Sequence, residues 1–502
     1  MAERTNIILV IVDQWRADSF GIAGHRIVET PNIDNLFAGG TVFDRAYAAV
    51  PSCIAARASI MTGLHQAHHG RVGYFDGAPW DYEHTLAGLL TDAGYQTHCI
   101  GKMHVSPPRK RLGFESIELH DGYLATTRTQ QVDQAVYDDY LPWLRERTGA
   151  PEADIIDAGI GCNGYTVRPW PYADLTHPSA WTVTRAIDFL RWRDPTHPFF
   201  LNLSFHRPHP PLDAPQWTLD LYRDVEVPEP VIGDWVDPES PISLYSQPSS
   251  PIPESQRQIE RAIRGYWAQL SFIDNQLNRL VHALQEARLF NSTAIVLVGD
   301  HGEMLYDHRS VGKMVGNEAS TRVPFMLRLP RSAGGTTRRR VAAPVELRDV
   351  LPTLCAIGGV EVPETIDGAS VLSLANGGDE WRTFVHGEHA GTVVIDNHWL
   401  TDGHTKYLRH TFTGRELLFD IDVDPNEEHD RASERPEDVA GWRQRLIDEL
   451  EGRPEGFVVD GALISAPLST AIVPGVLHDD DEIQAGQKMM ADVIRSRQHS
   501  EP

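Results

Sequence analysis

A chain of 502 residues with 41% hydrophobic content is long enough for two or three domains around a large core. Its formal net charge of −25 opposes nucleic acid and anionic membrane surfaces by long-range repulsion, yet local cations can still hold a small anion in a cleft. Four cysteines are too few for a disulfide framework, so a reducing, cytoplasmic setting is the expected one.

The first predicted element is "TNIILVIVD", a continuous apolar run of the kind buried on both faces of a parallel sheet. It is short, lacks a basic leader and stops at Asp13, so it reads as a core strand and not as a signal peptide. "TLAGLLTDAGYQTHCIGKMH" reads helix, glycine stop, strand. "AWTVTRAIDFLRWRDPTHPFFLNLSFHRPHPP" repeats that order with a proline-rich exit. A long amphipathic helix then leads into "TAIVLVGD". This alternation predicts an α/β fold, a doubly wound, mostly parallel sheet flanked by helices. Much of 120–175 and 224–256 reads as irregular excursion. Beyond about residue 375, "RTFVHGEH", "GTVVIDNHWLTD", "TKYLRHTF" and "RELLFDIDVD" are short alternating strands, followed by the helical "EDVAGWRQRLIDELEG". The expected organisation is a catalytic domain over 1–375, a small antiparallel sheet with a helix over 376–475, and an acidic tail or oligomerisation arm over 476–502. No run is long and apolar enough for a transmembrane helix, so no membrane partner is expected.

In open α/β sheets, ligands bind beyond the C-terminal ends of the strands. Four predicted strands end in polar pairs: Asp13 with Gln14, Lys102 with His104, His206 with His209, and Asp300 with His301. Any one of these could be a capped strand end. A parallel sheet would bring all four to one edge, which is the pattern of a site. Asp13, Gln14, Asp300 and His301 offer three oxygens and an imidazole nitrogen to a divalent cation. Oxygen-rich ligation suits calcium, magnesium or manganese, and the imidazole tilts towards manganese. Cys99 and Cys355 read as small buried hydrophobes, while Cys162 in "GIGCNGY" is open.

Taken in order, "NIILVIVDQ", "CIAARASIMTG", "GKMH", "FHRPHPP", "GDHGEML" and "VGKMVGNEASTRVPFML" resemble the type I sulfatases of the alkaline phosphatase superfamily. The likeness spans most of residues 5–330, and "LLFDIDVDPNEEHD" resembles the family's C-terminal segment. It implies that Cys53, in a C-x-P/A-x-R motif, is oxidised to formylglycine by a formylglycine-generating enzyme. The aldehyde hydrates; one metal-bound hydroxyl attacks sulfur, and the other expels sulfate. A thiol lacks that second hydroxyl. Ala55 stands where most relatives have proline.

The resemblance also assigns roles. Arg57, four residues on and so on the same helix face, would hold the nucleophile or the metal-side oxygens. Lys102 and His104 would contact the sulfate oxygens, and His209 would protonate the leaving alcohol with His206 in support. Lys313 would offset charge on the transferred group or bridging oxygen. Calcium is the metal the family favours, with manganese second, and residue 53 joins its ligands. The expected activity is hydrolysis of a small sulfate ester. The rivals are a phosphonate monoester hydrolase or phosphodiesterase of the same superfamily, and an inactive metal-binding homologue if Cys53 stays a thiol. A homo-oligomer is compatible with the tail.

Overall fold

The computed structural model describes residues 4–122, 137–239, 243–244, 255–335, 338–391, 396–465 and 470–477. The main sheet has eight strands: β1 (Asn6–Asp13), β2 (Thr41–Phe43), β3 (Gln96–Gly101), β4 (Ser116–Leu119), β5 (Phe199–Pro208), β6 (Thr293–Gly299), β7 (Phe325–Arg328) and β8 (Arg339–Val341). Their spatial order is β8-β2-β7-β6-β1-β5-β3-β4. Only β7 runs against its neighbours; β1, β3, β4, β5 and β6 are mutually parallel. The doubly wound, mostly parallel α/β sheet expected from the sequence is the one found.

Period-two alternation in β1 divides the core. Ile8, Val10 and Val12 face a layer formed by α3 (Pro178–Trp192) and α4 (Gln256–Glu286). Ile7, Leu9 and Ile11 face the opposite layer, formed by α1 (Cys53–Thr62) and α5 (Val350–Gly358). In α4 the buried Ile259, Ile263, Tyr266, Leu270, Ile273, Leu277 and Leu280 recur every three or four residues, which lays one stripe along the sheet. Within the stretch read as irregular, α2 (Tyr140–Thr148) is a regular helix that buries Tyr140, Leu141 and Leu144.

A second, four-stranded antiparallel sheet follows: β9 (Val385–His389), β10 (Asn397–Thr401), β11 (Thr405–His410) and β12 (Glu416–Asp420). One face packs on α6 (Pro436–Leu450) through Leu400, Tyr407 and Leu418 against Val439, Trp442, Leu446 and Leu450. Proline at N1 and the acids Glu437 and Asp438 in the first turn suit that helix start. Truncating Leu446, fully buried there, would cost about 2–5 kcal/mol. The other face sets Val385, Trp399, Leu408, Leu417 and Phe419 against Tyr47 of the main body. The seam is also polar: the Lys406 ammonium, buried, donates to Glu318 Oε1 at 2.9 Å and Thr321 Oγ1 at 2.6 Å. Most of the tail expected over 476–502 lies outside the described residues.

Candidate active site

The parallel strands deliver their polar endings to one edge. β1 ends at Asp13, β3 runs into Lys102, β5 ends at Pro208 just before His209, and β6 runs into Asp300 and His301. Two of these exits turn sharply. Gln14 and His104 both have left-handed backbone (φ 64° and 60°), a strained conformation for a side chain with a Cβ. Carboxylates hold both turns. Asp300 Oδ1 accepts from Gln14 N at 3.0 Å, and Asp121 Oδ1 accepts from Met103 N at 2.6 Å and His104 N at 3.0 Å. Gly101, at φ 97°, has no substitute, because a Cβ there would lie 1.8 Å from the Ser204 carbonyl oxygen.

Helix α1 brings in the remaining pieces. All ten of its residues are buried, and its three alanines and Ser59 let it sit close beneath the sheet edge. Cys53 is its first residue, where exposed backbone N–H groups favour negative charge. The Cys53 sulfur lies 2.8 Å from Lys313 Nζ, 3.2 Å from His301 Nε2 and 3.6 Å from Asp13 Oδ1. Burial and the Asp13 carboxylate push this thiol up, but Lys102, Lys313 and His301 together outweigh them and hold it well below the usual range. The site therefore stabilises an anion at residue 53.

Arg57, one turn further on, faces the carboxylates and not the sulfur. Its Nε donates to Asp300 Oδ2 at 3.0 Å, its Nη1 donates to the Lys102 carbonyl (2.7 Å) and Ser204 Oγ (2.8 Å), and Nη2 is 4.0 Å from Asp13 Oδ2. Of the two readings for this arginine, holding the metal-side oxygens is the one the geometry matches. Lys102 is ion-paired with Asp13. His104 Nε2 is 2.7 Å from Asp76 Oδ1, and although burial acts to lower its pKa, that carboxylate raises it overall. Asp13 is held well below the carboxylate range: burial raises it, but Lys102, His209, His301 and Lys313 prevail. Asp300 is pushed up, by burial first and then by Asp13.

His209 packs beside His206, ring centroids 5.1 Å apart. Burial first and Lys313 second bring His209 down to about 3, so its imidazole is neutral. Its Nδ1–H donates to the Pro210 carbonyl at 2.9 Å, which leaves Nε2 as the position that can take up a proton. His206 is covered by Gly122 and is also held neutral, by burial first and Arg207 second.

Asp13, Cys53, Asp300 and His301 each bring a ligand atom, all within 4.8 Å of one another and all buried. His301 Nδ1 is 2.9 Å from the Gly302 carbonyl, so Nε2 is the atom left for a ligand. Gln14 completes the set. Its Nε2 donates to Glu303 and reaches Tyr165 at 3.4 Å, and its Oε1 accepts from Lys313 Nζ at 3.3 Å. These donors fit a divalent cation: two carboxylates, an amide oxygen and an imidazole converge in one buried pocket. Arg57, Lys102 and Lys313 gather around Asp13, Asp300 and residue 53, a concentration of cations in a chain of net charge −25.

Several supporting residues have no local signature in the sequence. Asp76 and Asp121 lie in loops, Ser204 lies inside a strand, and Tyr165 lies in the long excursion. Glu303 was visible in "GDHGEML", but its task of orienting the Gln14 amide was not. Its Oε1 also accepts from Leu305 N at 2.8 Å and Gly312 N at 2.6 Å. The C-terminal "DPNEEHD" segment supports the loop that follows Lys313. Glu427 Oε2 accepts from Asn317 Nδ2 and Glu318 N, each at 2.9 Å. Cys99 and Cys355 are buried, as expected, with their thiols pushed up to about 12 by burial. Cys99 Sγ also accepts from Asn202 Nδ2 at 3.1 Å. Cys162 is half-buried.

This arrangement is that of a hydrolase working on an anionic ester. The Sulfatase family profile matches residues 5–360, and that of the N-sulphoglucosamine sulphohydrolase C-terminal region matches 299–451. An arylsulfatase of Clostridium perfringens is 41% identical over 479 residues, covering 93% of this chain and 99% of the relative. A choline-sulfatase of Rhizobium meliloti is 28% identical over 438 residues, covering 84% and 81%. Among solved structures, the phosphonate monoester hydrolase of Agrobacterium radiobacter superposes with a TM-score of 0.74 at 24% identity, covering 89% of this chain and 95% of that one. The chain belongs to the sulfatase family.

Proposed function

We propose that this enzyme hydrolyses small sulfate monoesters, with formylglycine at position 53 and one divalent cation held by Asp13, Gln14, Asp300, His301 and residue 53. The observation that carries the reading is the meeting of Cys53, at a helix N-terminus, with three cations and a four-donor ligand set. Sulfate ester hydrolysis is further supported by family membership and by the arylsulfatase relative. Calcium suits the oxygen-rich donors, with manganese second because of His301. The formylglycine would come from a generating enzyme reading the motif around Cys53. A chain with only four cysteines suits a reducing, cytoplasmic compartment. Among the described residues, no helix is long and apolar enough to cross a membrane.

When bound, the cation supplies Lewis-acid polarisation and eases deprotonation of a hydroxyl at residue 53. Formylglycine hydrate supplies two hydroxyls, one to attack sulfur and one to expel sulfate. Arg57 holds Asp300 through Nε and places Nη2 4.0 Å from Asp13, which helps to preorganise the carboxylate oxygens. A sulfate monoester has one negative charge and three unesterified oxygens, and Lys102, His104 and Lys313 surround residue 53 with donors for them. Lys313 is, after burial, the chief cause of the neutral state of His209. To protonate the leaving alcohol, the neutral His209 would first have to gain a proton at Nε2, from water or from a hydroxyl of residue 53, and the negative charge of a bound sulfate favours that uptake.

A phosphonate monoester has the same charge but a second organic arm, which needs a less cationic wall. The kcat/KM ratio of nitrophenyl sulfate to a matched phenylphosphonate is therefore expected to exceed one. Lys102→Ala should cut the sulfate value by roughly 10²-fold and the phosphonate value by less. A ratio well below one would assign the enzyme to the phosphonate branch.

A further inference from the structure

A second group of metal-ligand side chains lines a cavity of about 720 Å³ where the C-terminal sheet meets the main body. His65 in the turn after α1, His386 on β9 and Glu449 on α6 each offer one ligand atom, all within 4.8 Å of one another. This is not the catalytic edge. Cys53 begins α1 and His65 follows its end, and a ten-residue helix is about 15 Å long.

His386 is the informative member. Its side chain is 2% exposed, and its Nδ1 has no hydrogen-bond partner while lying 3.9 Å from Glu449 Oε2. Its other nitrogen, Nε2, is 3.3 Å from His398 Nδ1. With the ring proton on Nε2, donated to His398, the lone pair of Nδ1 is directed at the cluster, the orientation an outer-shell partner imposes on a metal-binding histidine. His65 is prepared in the same way. Its Nδ1 accepts from Ala67 N at 3.3 Å, so Nε2 is the ring atom left for a ligand. Both imidazoles are neutral at physiological pH, held down chiefly by burial, and need lose no proton to bind.

Three arginines share the cavity, and each already has its own carboxylate. Arg348 pairs with Glu346, Arg382 with Asp349, and Arg453 with Glu388. These carboxylates meet much of their charge, although Arg348 and Arg453 still help to hold the imidazoles neutral, and the metal-type donors that converge in the cavity are the two imidazoles and Glu449.

We propose that His65, His386 and Glu449 form a second metal site that takes Zn²⁺, with one coordination position open to the cavity, and that the ion pins β9 and α6 to the turn after α1. Two imidazoles and one carboxylate are the ligand set of three-ligand zinc sites, unlike the oxygen-rich catalytic set. Reaching zinc bond lengths of about 2.0–2.2 Å requires the donors to close together. His65 on a turn and Glu449, a third exposed, have the freedom to do so.

The test titrates Zn²⁺ into the calcium-loaded, full-length enzyme by calorimetry, with thermal melting in parallel. Asp300→Ala, which disables the catalytic donors, should still bind one zinc, and its melting temperature should rise on saturation. Glu449→Gln and His65→Ala should keep wild-type turnover of nitrophenyl sulfate without zinc, yet bind zinc at least roughly 10²-fold more weakly. The proposal is overturned if zinc binding is lost in Asp300→Ala and kept in Glu449→Gln and His65→Ala. It is equally overturned if all four proteins bind alike, or if none binds zinc. Glu449→Gln keeps the side-chain shape at a partly exposed helix position, so its result does not depend on a folding defect.

Discussion

Asp13, Lys102 and Asp300 stand at or just past the ends of parallel strands, whereas His386, Glu388 and His398 stand within antiparallel ones. A strand end lets its polar atoms meet those of neighbouring ends, so at the catalytic edge opposite charges neutralise one another around a reactive group. Side chains within a strand meet cross-strand neighbours and the elements packed on the sheet, and burial there favours the neutral form of the histidines, while Glu388 stays charged against Arg453. His386, His389 and His398 are brought down to about 3, 3 and 4, burial being the largest cause in each. Carboxylates and lysines thus form a charged cluster at one sheet's edge, while the histidines within the other sheet are a neutral polar core around the ion-paired Glu388.

The largest effect should fall on the charged edge. Asp300→Ala removes the partner of Arg57 and a ligand donor together, so kcat/KM should fall by on the order of 10³-fold or more, with the bound metal lost in elemental analysis. Equal turnover in that variant would show that the edge is not the site. Next comes the seam between the two regions. Lys406 is wholly buried between Glu318 and Thr321, with the Trp399 ring centroid 4.6 Å from its ammonium. Lys406→Ala leaves Glu318 buried without that partner and should destabilise the enzyme by roughly 3–5 kcal/mol in urea unfolding.

The neutral histidines give a smaller effect with a definite sign. Their folded pKa values lie below the unfolded value of about 6.5. Above pH 6.5 neither state is protonated and nothing is lost. As pH falls below 6.5 the unfolded chain takes up protons first, and stability drops by about 1.4 kcal/mol per pH unit per histidine until the folded pKa is reached. Hydrogen exchange at pH 7 and pH 5.5 should therefore show β9–β11 losing protection, while β1 and β5 change less. Replacing His389, whose ring nitrogens have no hydrogen-bond partner among the described residues, with Asn should reduce that slope. The least effect belongs to a second ion pair on the same seam, Arg45–Asp422 at 3.0 Å, whose acid is half exposed. Arg45→Ala should cost under about 1 kcal/mol, in contrast to Lys406→Ala.

What the sequence revealed and what it hid follow the same division. Continuous apolar runs ending in Asp13, Lys102 and Asp300 made the parallel sheet and its edge readable, because strand, exit and reactive residue are contiguous in the chain. The pairing of Arg57 with the carboxylates was only half readable: spacing placed it on the face of Cys53, but Asp300 is 243 residues away. Asp76 and Asp121 escaped notice because an aspartate in a loop has no period. Glu427 was seen as part of a motif, yet its hydrogen bonds to Asn317 and Glu318 depend on the docking of two regions, which no local pattern encodes. The helix Tyr140–Thr148 was hidden by Pro142 within a polar surround, although proline in a first turn is compatible with a helix start.

The most direct measurement is mass spectrometry of the peptide containing residue 53, from enzyme produced with a formylglycine-generating enzyme, alongside turnover of nitrophenyl sulfate. Loss of the sulfur atom, an aldehyde that reacts with a hydrazine reagent, and a rate proportional to the converted fraction are expected. Full turnover by a chain that retains its Cys53 thiol would contradict the central claim.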